Sequence, residues 1–503
     1  EEALEAYTKA LALKPDYAEA YSNLGTTLQD QGKLEEAIDA YNKALFLKPD
    51  LSLVRAQKLH QQARICDWDE VKDELSFLAD LGIRGEDVPP FTLLALEDDP
   101  YRHRLRSENY AKKKFSQNAI TDFVAPNQKP NRLRIGYFSA DFKEHPVSYL
   151  MAKVIETHDR DCFEVYGYSI GRAKDDEMKR RLVKGFDVFR EVQSLGDHDV
   201  ALLARQDKID IAVDLMGYTT DSRAGIFSLR AAPVQINYLG FPGTIGADFM
   251  DYIIVDQKLV PTEKQKYYSE KPLYLPYQYM PTDNTRQISS KSITRSDMGL
   301  PEHGFVFCCF NNNYKISPKE FDIWMRLLRN VEDSVLWIRK SNKWSVVNFY
   351  KEAKKRGIDG SRLVFADKLP MDEHLARHKL ADLFLDTFAF NAHTTATEAL
   401  WAGLPVVTKL GEGFPARVAG SLLSAIGLPE LITESEMEYE KLALELATNS
   451  EKLASIKQKL AINRLSKPLF NTELFTKHLE DGYQRAYQQY FEGKKAAAIY
   501  VPE

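Results

Sequence analysis

The hydrophobic positions change rhythm along the chain. From residue 1 to about 132 they recur at helical spacing, first in "EEALEAYTKALALKPDY" and "EEAIDAYNKALFLKPDL", then without a period from 51 onward. "DVPPFTLLALEDDPYRHR" interrupts the second stretch with two prolines and a short apolar cluster, and reads as a connector packed onto the next domain. After "APNQKPN" short β-rich runs alternate with helical ones: "LRIGYFS", "FEVYGYSI", "IDIAVDLM", "VQINYLG" and "DYIIVD". A turn-rich link from "QKLVPTEKQ" to "SDMGLPEHG" comes next, and the alternation restarts with "FVFCCF", "SVLWIRK", "RLVFA", "LFLD" and "PVVT". Such alternation predicts parallel sheets with crossover helices, here two doubly wound domains in tandem.

The two N-terminal segments repeat each other at a period of 34. Ala3/Ala37, Ala6/Ala40, Tyr7/Tyr41, Ala10/Ala44, Leu11/Leu45 and Pro15/Pro49 stand in register. Period and pattern match a tetratricopeptide unit: small residues let paired helices approach closely, and proline ends the second helix. About three repeats are needed for a stable stack, so the segment reads as the end of a longer array. Such arrays bind peptides or proteins; a spacer or dimerisation surface is the alternative.

Composition narrows the class. A chain of 503 residues exceeds one core and divides into about three or four units. With 67 basic against 73 acidic residues, the net charge of -6 gives no reason to expect nucleic acid or a membrane surface as partner. No 18-residue apolar run and no signal-peptide pattern are present, and Cys66, Cys162, Cys308 and Cys309 lack metal-ligand or disulfide spacing. A soluble, cytoplasmic protein is expected. The sequence starts without methionine, so an upstream targeting signal would not be visible.

Ligands of open α/β sheets sit beyond the carboxyl ends of the strands. "LRIGYFS" exits into "ADFKEHP", "FVFCCF" into "NNNYKISP", "LFLD" into "TFAFNAHTT" and "VQINYLG" into "FPGTIG". These exits predict a cleft between the domains lined by Asp141, His145, Asn312, Lys315, His393, Thr394 and Thr395. In "NAHTTATEALWAG", Thr395 and Glu398 have capping-box spacing, which places the first free helix amides at Thr395 and just beyond. Those amides, with the Thr394 and Thr395 hydroxyls, suit a diphosphate; ordinary capping is the alternative. Lys315 is a second phosphate candidate or a solvated lysine, and His145 a site residue or a surface loop residue. No G-x-G-x-x-G follows the first strand, which disfavours a nicotinamide or flavin dinucleotide.

"LRIGYFSADFKEHPVSYLM", "AAPVQINYLGFPGTIGADFMDYIIVD", "FNNNYKISP", "DEHLARHKLADLFLDTFAFNAHTTATEALWAGLPVVT" and "SKPLFNTELFTKHLE", in this order behind tetratricopeptide repeats, resemble the O-linked N-acetylglucosamine transferase family, glycosyltransferase family 41. The resemblance covers essentially the whole chain. It implies a GT-B fold of two Rossmann-like domains and a nucleotide-sugar donor, UDP-N-acetylglucosamine, between them. It also implies inverting transfer to serine or threonine hydroxyls of a protein or peptide acceptor, with no metal or other cofactor. The implied organisation is 1–66 repeats, 67–130 helical connector, 131–280 first Rossmann-like half, 281–300 linker, 301–435 second half and 436–503 C-terminal helices. Recruitment of the acceptor by the repeats and homo-oligomerisation both stay open.

By resemblance, Lys315 stabilises the leaving diphosphate, which His393, Thr394 and Thr395 hold. His374, Arg377 and Glu398 fall on the donor side, Glu398 standing where the family usually has an aspartate on the ribose. Asp141 and His145 match positions facing sugar and acceptor, Leu239 and Gly240 a backbone contact to the sugar, and Tyr314 a position near it. Asn312 replaces the glutamine of animal members and Met371 a lysine near the nucleotide; Pro89 and Pro90 stand where those members have a histidine once proposed as base. The long insertion between the halves of animal enzymes is missing, as in bacterial-type members. The proton acceptor stays open among Asp141, His145 and the donor's own phosphate. GDP-fucose as donor, or an inactive repeat-based scaffold, are the competing readings.

Overall fold

The computed structural model describes residues 2–115, 120, 123, 127–172 and 174–503. The last part of the expected connector, including 116–119, 121–122 and 124–126, lies outside the described residues. Four antiparallel helices open the chain: α1 (Glu2–Leu13), α2 (Ala18–Asp30), α3 (Leu34–Leu47) and α4 (Ser52–Ile65). The repeat's small positions do what their spacing predicts, Ala37, Ala40, Tyr41 and Ala44 of α3 packing with Leu28 and Val54. A Cβ on Gly25 would stand 2.5 Å from the Tyr41 ring, so only glycine lets that ring cross α2. The Tyr41 hydroxyl then donates to Gln29 Oε1 at 3.2 Å.

Helix α4 buries even Arg55, Lys58, Gln61 and Gln62, because other parts of the chain cover its remaining faces. Asn342 Nδ2 donates to the Arg64 carbonyl and Asn348 Nδ2 to the Ile65 carbonyl, both at 2.8 Å. The repeats therefore abut the second sheet domain directly, and the connector, with α5 (Trp68–Glu74) and α6 (Pro100–Lys114), fills the space beside them.

Two all-parallel sheets make up the rest of the chain's core. The first contains β1 (Leu133–Ser139), β2 (Phe163–Ser169), β3 (Val188–Glu191), β4 (Ile211–Asp214), β5 (Val234–Asn237), β6 (Tyr252–Asp256) and β7 (Lys271–Leu275). The second contains β8 (Val306–Cys309), β9 (Val335–Arg339), β10 (Leu363–Ala366), β11 (Leu383–Leu385), β12 (Val406–Lys409) and β13 (Ile432–Thr433). A last strand, β14 (Ile499–Tyr500), returns to the first sheet, whose order is β14-β7-β6-β5-β4-β1-β2-β3; the second runs β10-β9-β8-β11-β12-β13. In each sheet order reverses beside the first strand, β1 or β8, which is where ligands of doubly wound folds bind. The fold is thus helical repeats followed by two Rossmann-like halves.

Two expectations change. The turn-rich link contains a strand: β7 pairs Pro272 with Ile253 of β6, and its outer neighbour is the two-residue β14, so the proline removes little from the ladder. The segment 436–503, expected as C-terminal helices, also contributes the short strand β14. Its helix Thr472–Phe491 packs on the first sheet domain, where Tyr137 Oη meets His158 Nε2 at 2.8 Å and His158 Nδ1 meets Glu480 Oε1 at 2.9 Å. Among the described residues no helix is long and apolar enough to cross a membrane.

Candidate active site

Lys315 ends a 3-10 turn, Asn313–Lys315, between β8 and the helix Pro318–Asn330. That helix opens with a full capping box, Ser317 and Glu320, which fixes the chain just beyond the lysine. Lys315 is buried at 8% exposure, its ammonium donating to the Asn391 carbonyl at 3.0 Å and lying 3.8 Å from the Phe390 ring centroid. Burial pulls it down to about 7, against the opposing pull of the Asp386 carboxylate.

Asp386, which sequence reasoning passed over, organises this corner from the end of β11. Its Oδ1 accepts from the Thr387 amide at 2.8 Å, the Ala392 amide at 2.5 Å and Asn311 Nδ2 at 3.3 Å, while Oδ2 accepts from Thr408 Oγ1 at 2.6 Å. Burial pushes the carboxyl up to about 7, against the hydrogen bonds that favour its ionised form. Glu320 Oε1 takes the Phe388 amide at 2.7 Å, so two buried carboxylates fold the loop that carries Asn391 to Lys315. An aspartate closing an apolar strand at a switch point was the signal available in "LFLD".

The helix Thr394–Trp401 starts two residues earlier than its capping-box spacing predicts. His393 is the N-cap, without a side-chain cap bond, and the first intrahelical bonds run from Ala396 and Thr397 to its carbonyl. The free amides are those of Thr394 and Thr395. The expected box fails because tertiary partners claim both its residues: Thr395 Oγ1 donates to Asn311 Oδ1 at 2.5 Å, and Glu398 is drawn to His374. His393 Nε2 donates to the Pro415 carbonyl at 3.1 Å; burial and the nearby Lys315 push its basicity well down, so the ring is neutral.

Glu398 Oε2 lies 3.3 Å from His374 Nε2 and Oε1 lies 3.3 Å from Arg286 Nη2. Burial alone would raise this carboxyl, but the His374 hydrogen bond and the Arg286 charge outweigh it and hold it down to about 2. Arg286 comes from the linker and was not among the expected residues. Arg377 lies over the Phe310 ring at 4.7 Å, donates to the Asp367 carbonyl at 2.6 Å and is lowered to about 10 by burial. Asn312 caps the Lys315 turn through its carbonyl, which accepts the Lys315 amide at 3.0 Å. Tyr314 packs between His60 and Phe390, ring centroids 5.4 and 6.3 Å away, at the junction with α4.

The first half contributes a second group at its own strand exits. Asp141 follows β1, and His145 caps the helix Pro146–Thr157. His145 Nδ1 is 3.4 Å from Asp141 Oδ2 and 3.4 Å from the Val147 amide: bare, it accepts from the amide, and protonated, it donates to the carboxylate. Burial raises Asp141 and lowers His145, while each opposes the other's shift. Leu239 holds a left-handed φ of 69°, and a Cβ on Gly240 would meet the Leu215 carbonyl oxygen at 2.0 Å, so β4 and β5 exits interlock through a strained, close-packed turn.

The structure therefore brings Asn312, Lys315, His374, Arg377, His393, Thr394, Thr395 and Glu398 to the switch-point edge of the second half, and Asp141, His145, Leu239 and Gly240 to that of the first. Phe390 joins the two by packing into the apolar cluster around Phe138 and Phe241 of the first half. A cleft of about 940 Å³ opens between the halves, lined by Glu144, Tyr149 and Arg181 on one side and by Arg286, Met371 and Leu375 on the other.

Comparison with known proteins agrees with the two-domain fold. The model of glycosyl transferase family 41 matches residues 111–292 and 282–479, and tetratricopeptide repeat models match 1–32 and 18–51. An Arabidopsis thaliana protein named "Probable UDP-N-acetylglucosamine--peptide N-acetylglucosaminyltransferase SEC" is 35% identical over 468 residues, covering 88% of this chain and 48% of its own. A Caenorhabditis elegans UDP-N-acetylglucosamine--peptide N-acetylglucosaminyltransferase is 28% identical over 478 residues, covering 73% of this chain and 42% of its own. The chain thus spans about half the length of the curated relatives it matches. A solved structure of a mutant O-GlcNAc transferase from Thermobaculum terrenum aligns with TM-score 0.82 at 28% identity, covering 97% of this chain and 94% of that one. With its family model spanning most of both sheet domains and a relative this similar over most of its length, the chain belongs to glycosyltransferase family 41.

Proposed function

We propose that this chain transfers N-acetylglucosamine from UDP-N-acetylglucosamine to serine or threonine hydroxyls of proteins, with inversion and with protein groups rather than a metal balancing the leaving group. The observation that carries the reading is the pairing of a buried lysine with a free helix start: Lys315 is held by the Asn391 carbonyl, and the Thr394 and Thr395 amides begin the helix a few residues beyond. A diphosphate leaving group gains charge as the anomeric bond breaks, so a cation and amide dipoles aimed at it stabilise the transition state more than the ground state. The acceptor oxygen forms the new bond to the anomeric carbon. The electron pair of the broken bond stays on the diphosphate oxygen.

The acceptor proton passes to the Asp141–His145 pair. With Nδ1–H turned toward Asp141, His145 Nε2 is bare and takes the proton, and the resulting imidazolium is stabilised by the carboxylate. Relatives named as peptide N-acetylglucosaminyltransferases support the donor and acceptor class. The repeats adjoin the second half through α4, which suits delivery of a protein acceptor. Calorimetric titration with UDP, UDP-N-acetylglucosamine, GDP and GDP-fucose tests the donor: selective uridine binding is expected, selective guanosine binding would transfer the reading to fucose, and no nucleotide binding would leave a scaffold.

A further inference from the structure

The linker carries a side chain that the functional reading has not used. Its first part is pinned to the first half, where Arg181 donates to Asp283 Oδ2 at 2.6 Å and to Thr285 Oγ1 at 3.4 Å. Its next part is pinned to the second half: the Arg286 carbonyl accepts from Trp401 Nε1 at 3.2 Å, and the Ser289 amide donates to the Asp372 carbonyl at 3.1 Å. Arg286 therefore sits where the chain crosses between the halves.

The Arg286 side chain is 8% exposed, yet its bonding is incomplete. Nη2 is spent on Glu398 Oε1 at 3.3 Å and on Met371 Sδ at 3.2 Å, and the guanidinium carbon lies 5.9 Å from the Tyr149 ring of the first half. Nε is buried with no acceptor. A buried guanidinium N–H without a partner costs free energy that a structural arginine would avoid. Arg286 also lines the cleft between the halves, next to the Glu398 and His374 pair.

We infer that Arg286 is a donor-binding residue, whose Nε–H takes an acceptor oxygen on the nucleoside of the sugar donor while Nη2 holds Glu398 in place. This rests on the proposed transferase function and on Glu398 and His374 facing the nucleoside. It adds a donor contact from the linker, at the point where the chain crosses between the halves. Met371, an apolar residue at the same edge, cannot supply that cation, and Arg286 occupies the space in contact with its sulfur.

The test is UDP affinity by calorimetry, with donor KM and kcat, for wild type, Arg286→Met, Arg286→Lys and Lys291→Ala. Loss of a charge-assisted hydrogen bond corresponds to roughly tenfold to hundredfold in Kd. Both Arg286 variants are expected to weaken UDP and raise donor KM by that factor, with kcat at saturating donor held within about threefold. Lys291 pairs with Glu373 on the same linker, and its removal is expected to leave UDP affinity unchanged. Equal UDP affinity in wild type and both Arg286 variants overturns the inference alone. So does an equal loss in Lys291→Ala, which would make the effect one of linker docking, or a fall in kcat without a change in KM, the signature of a smaller folded fraction. Should Arg286→Met fail to fold, Arg286→Lys, which keeps the charge beside Glu398, decides. Absence of any nucleotide binding by wild type overturns the functional reading and this inference with it.

Discussion

Lys315 should change its protonation when the leaving group arrives. Burial holds it at about 7 in the free chain, so at pH 8 roughly nine-tenths of the molecules carry it neutral. A diphosphate placed against it adds negative charge in a site with little water and favours the ammonium form. Free UDP is already ionised at pH 8, since phosphate groups of this kind titrate near about 6. Binding of UDP at pH 8 should therefore draw close to one proton per site from the buffer, about 0.9. Calorimetry in buffers of different ionisation enthalpy reads that number as the slope of observed heat against buffer enthalpy. Lys315→Met should flatten the slope at pH 8. A slope near zero in the wild-type chain at pH 8, with UDP bound, would mean that the lysine is charged beforehand or does not meet the diphosphate, and would refute the reasoning.

Three further outcomes are expected. Gly240→Ala places a methyl group 2.0 Å from the Leu215 carbonyl oxygen and should destabilise the fold by about 2 kcal/mol or more in denaturant titration; a change under about 0.5 kcal/mol would contradict the interlocked turn. Glu398 is held at about 2 against an unfolded value of 4.5, so its stabilising contribution is complete above pH 4.5 and is lost as pH falls toward 2. Glu398→Gln should accordingly flatten stability against pH across that window, and an unchanged acid limb would count against the His374 and Arg286 pairing. Asp386→Asn removes the charge that props up Lys315, which should then titrate still lower; lysine-selective labelling against pH would show it, and an unchanged Lys315 titration would count against the pairing.

The strands read most directly from sequence are those buried on both faces of a sheet. β1, "LRIGYFS", is a continuous run whose burial leaves only Arg134 partly exposed. β7 was hidden by the prolines around it, because a short outer partner tolerates Pro272 and a sequence does not show which strand lies at an edge. The capping-box spacing at Thr395 and Glu398 was a local rule that tertiary contacts overrode: Asn311, 84 residues earlier, takes the hydroxyl, and His374 takes the carboxylate. Lys315 and His393 were picked out as candidates because they stand at strand exits. Asp386 and Arg286 were not, since one resembles any polar residue ending a strand and the other lies in a stretch read as a spacer. What marks them is burial and an incomplete or crowded set of hydrogen bonds, which only the assembled chain displays.

Sugar transfer to a hydroxyl can be watched as it happens. Purified chain, UDP-N-acetylglucosamine and a library of serine- and threonine-containing peptides would be followed by intact mass, with Lys315→Met alongside. One N-acetylhexosamine added to a hydroxyl residue by the wild type, and transfer at least about 10²-fold slower in the variant, is the predicted result. Transfer by Lys315→Met at the wild-type rate, or no transfer by a wild-type chain that binds the donor, would contradict it.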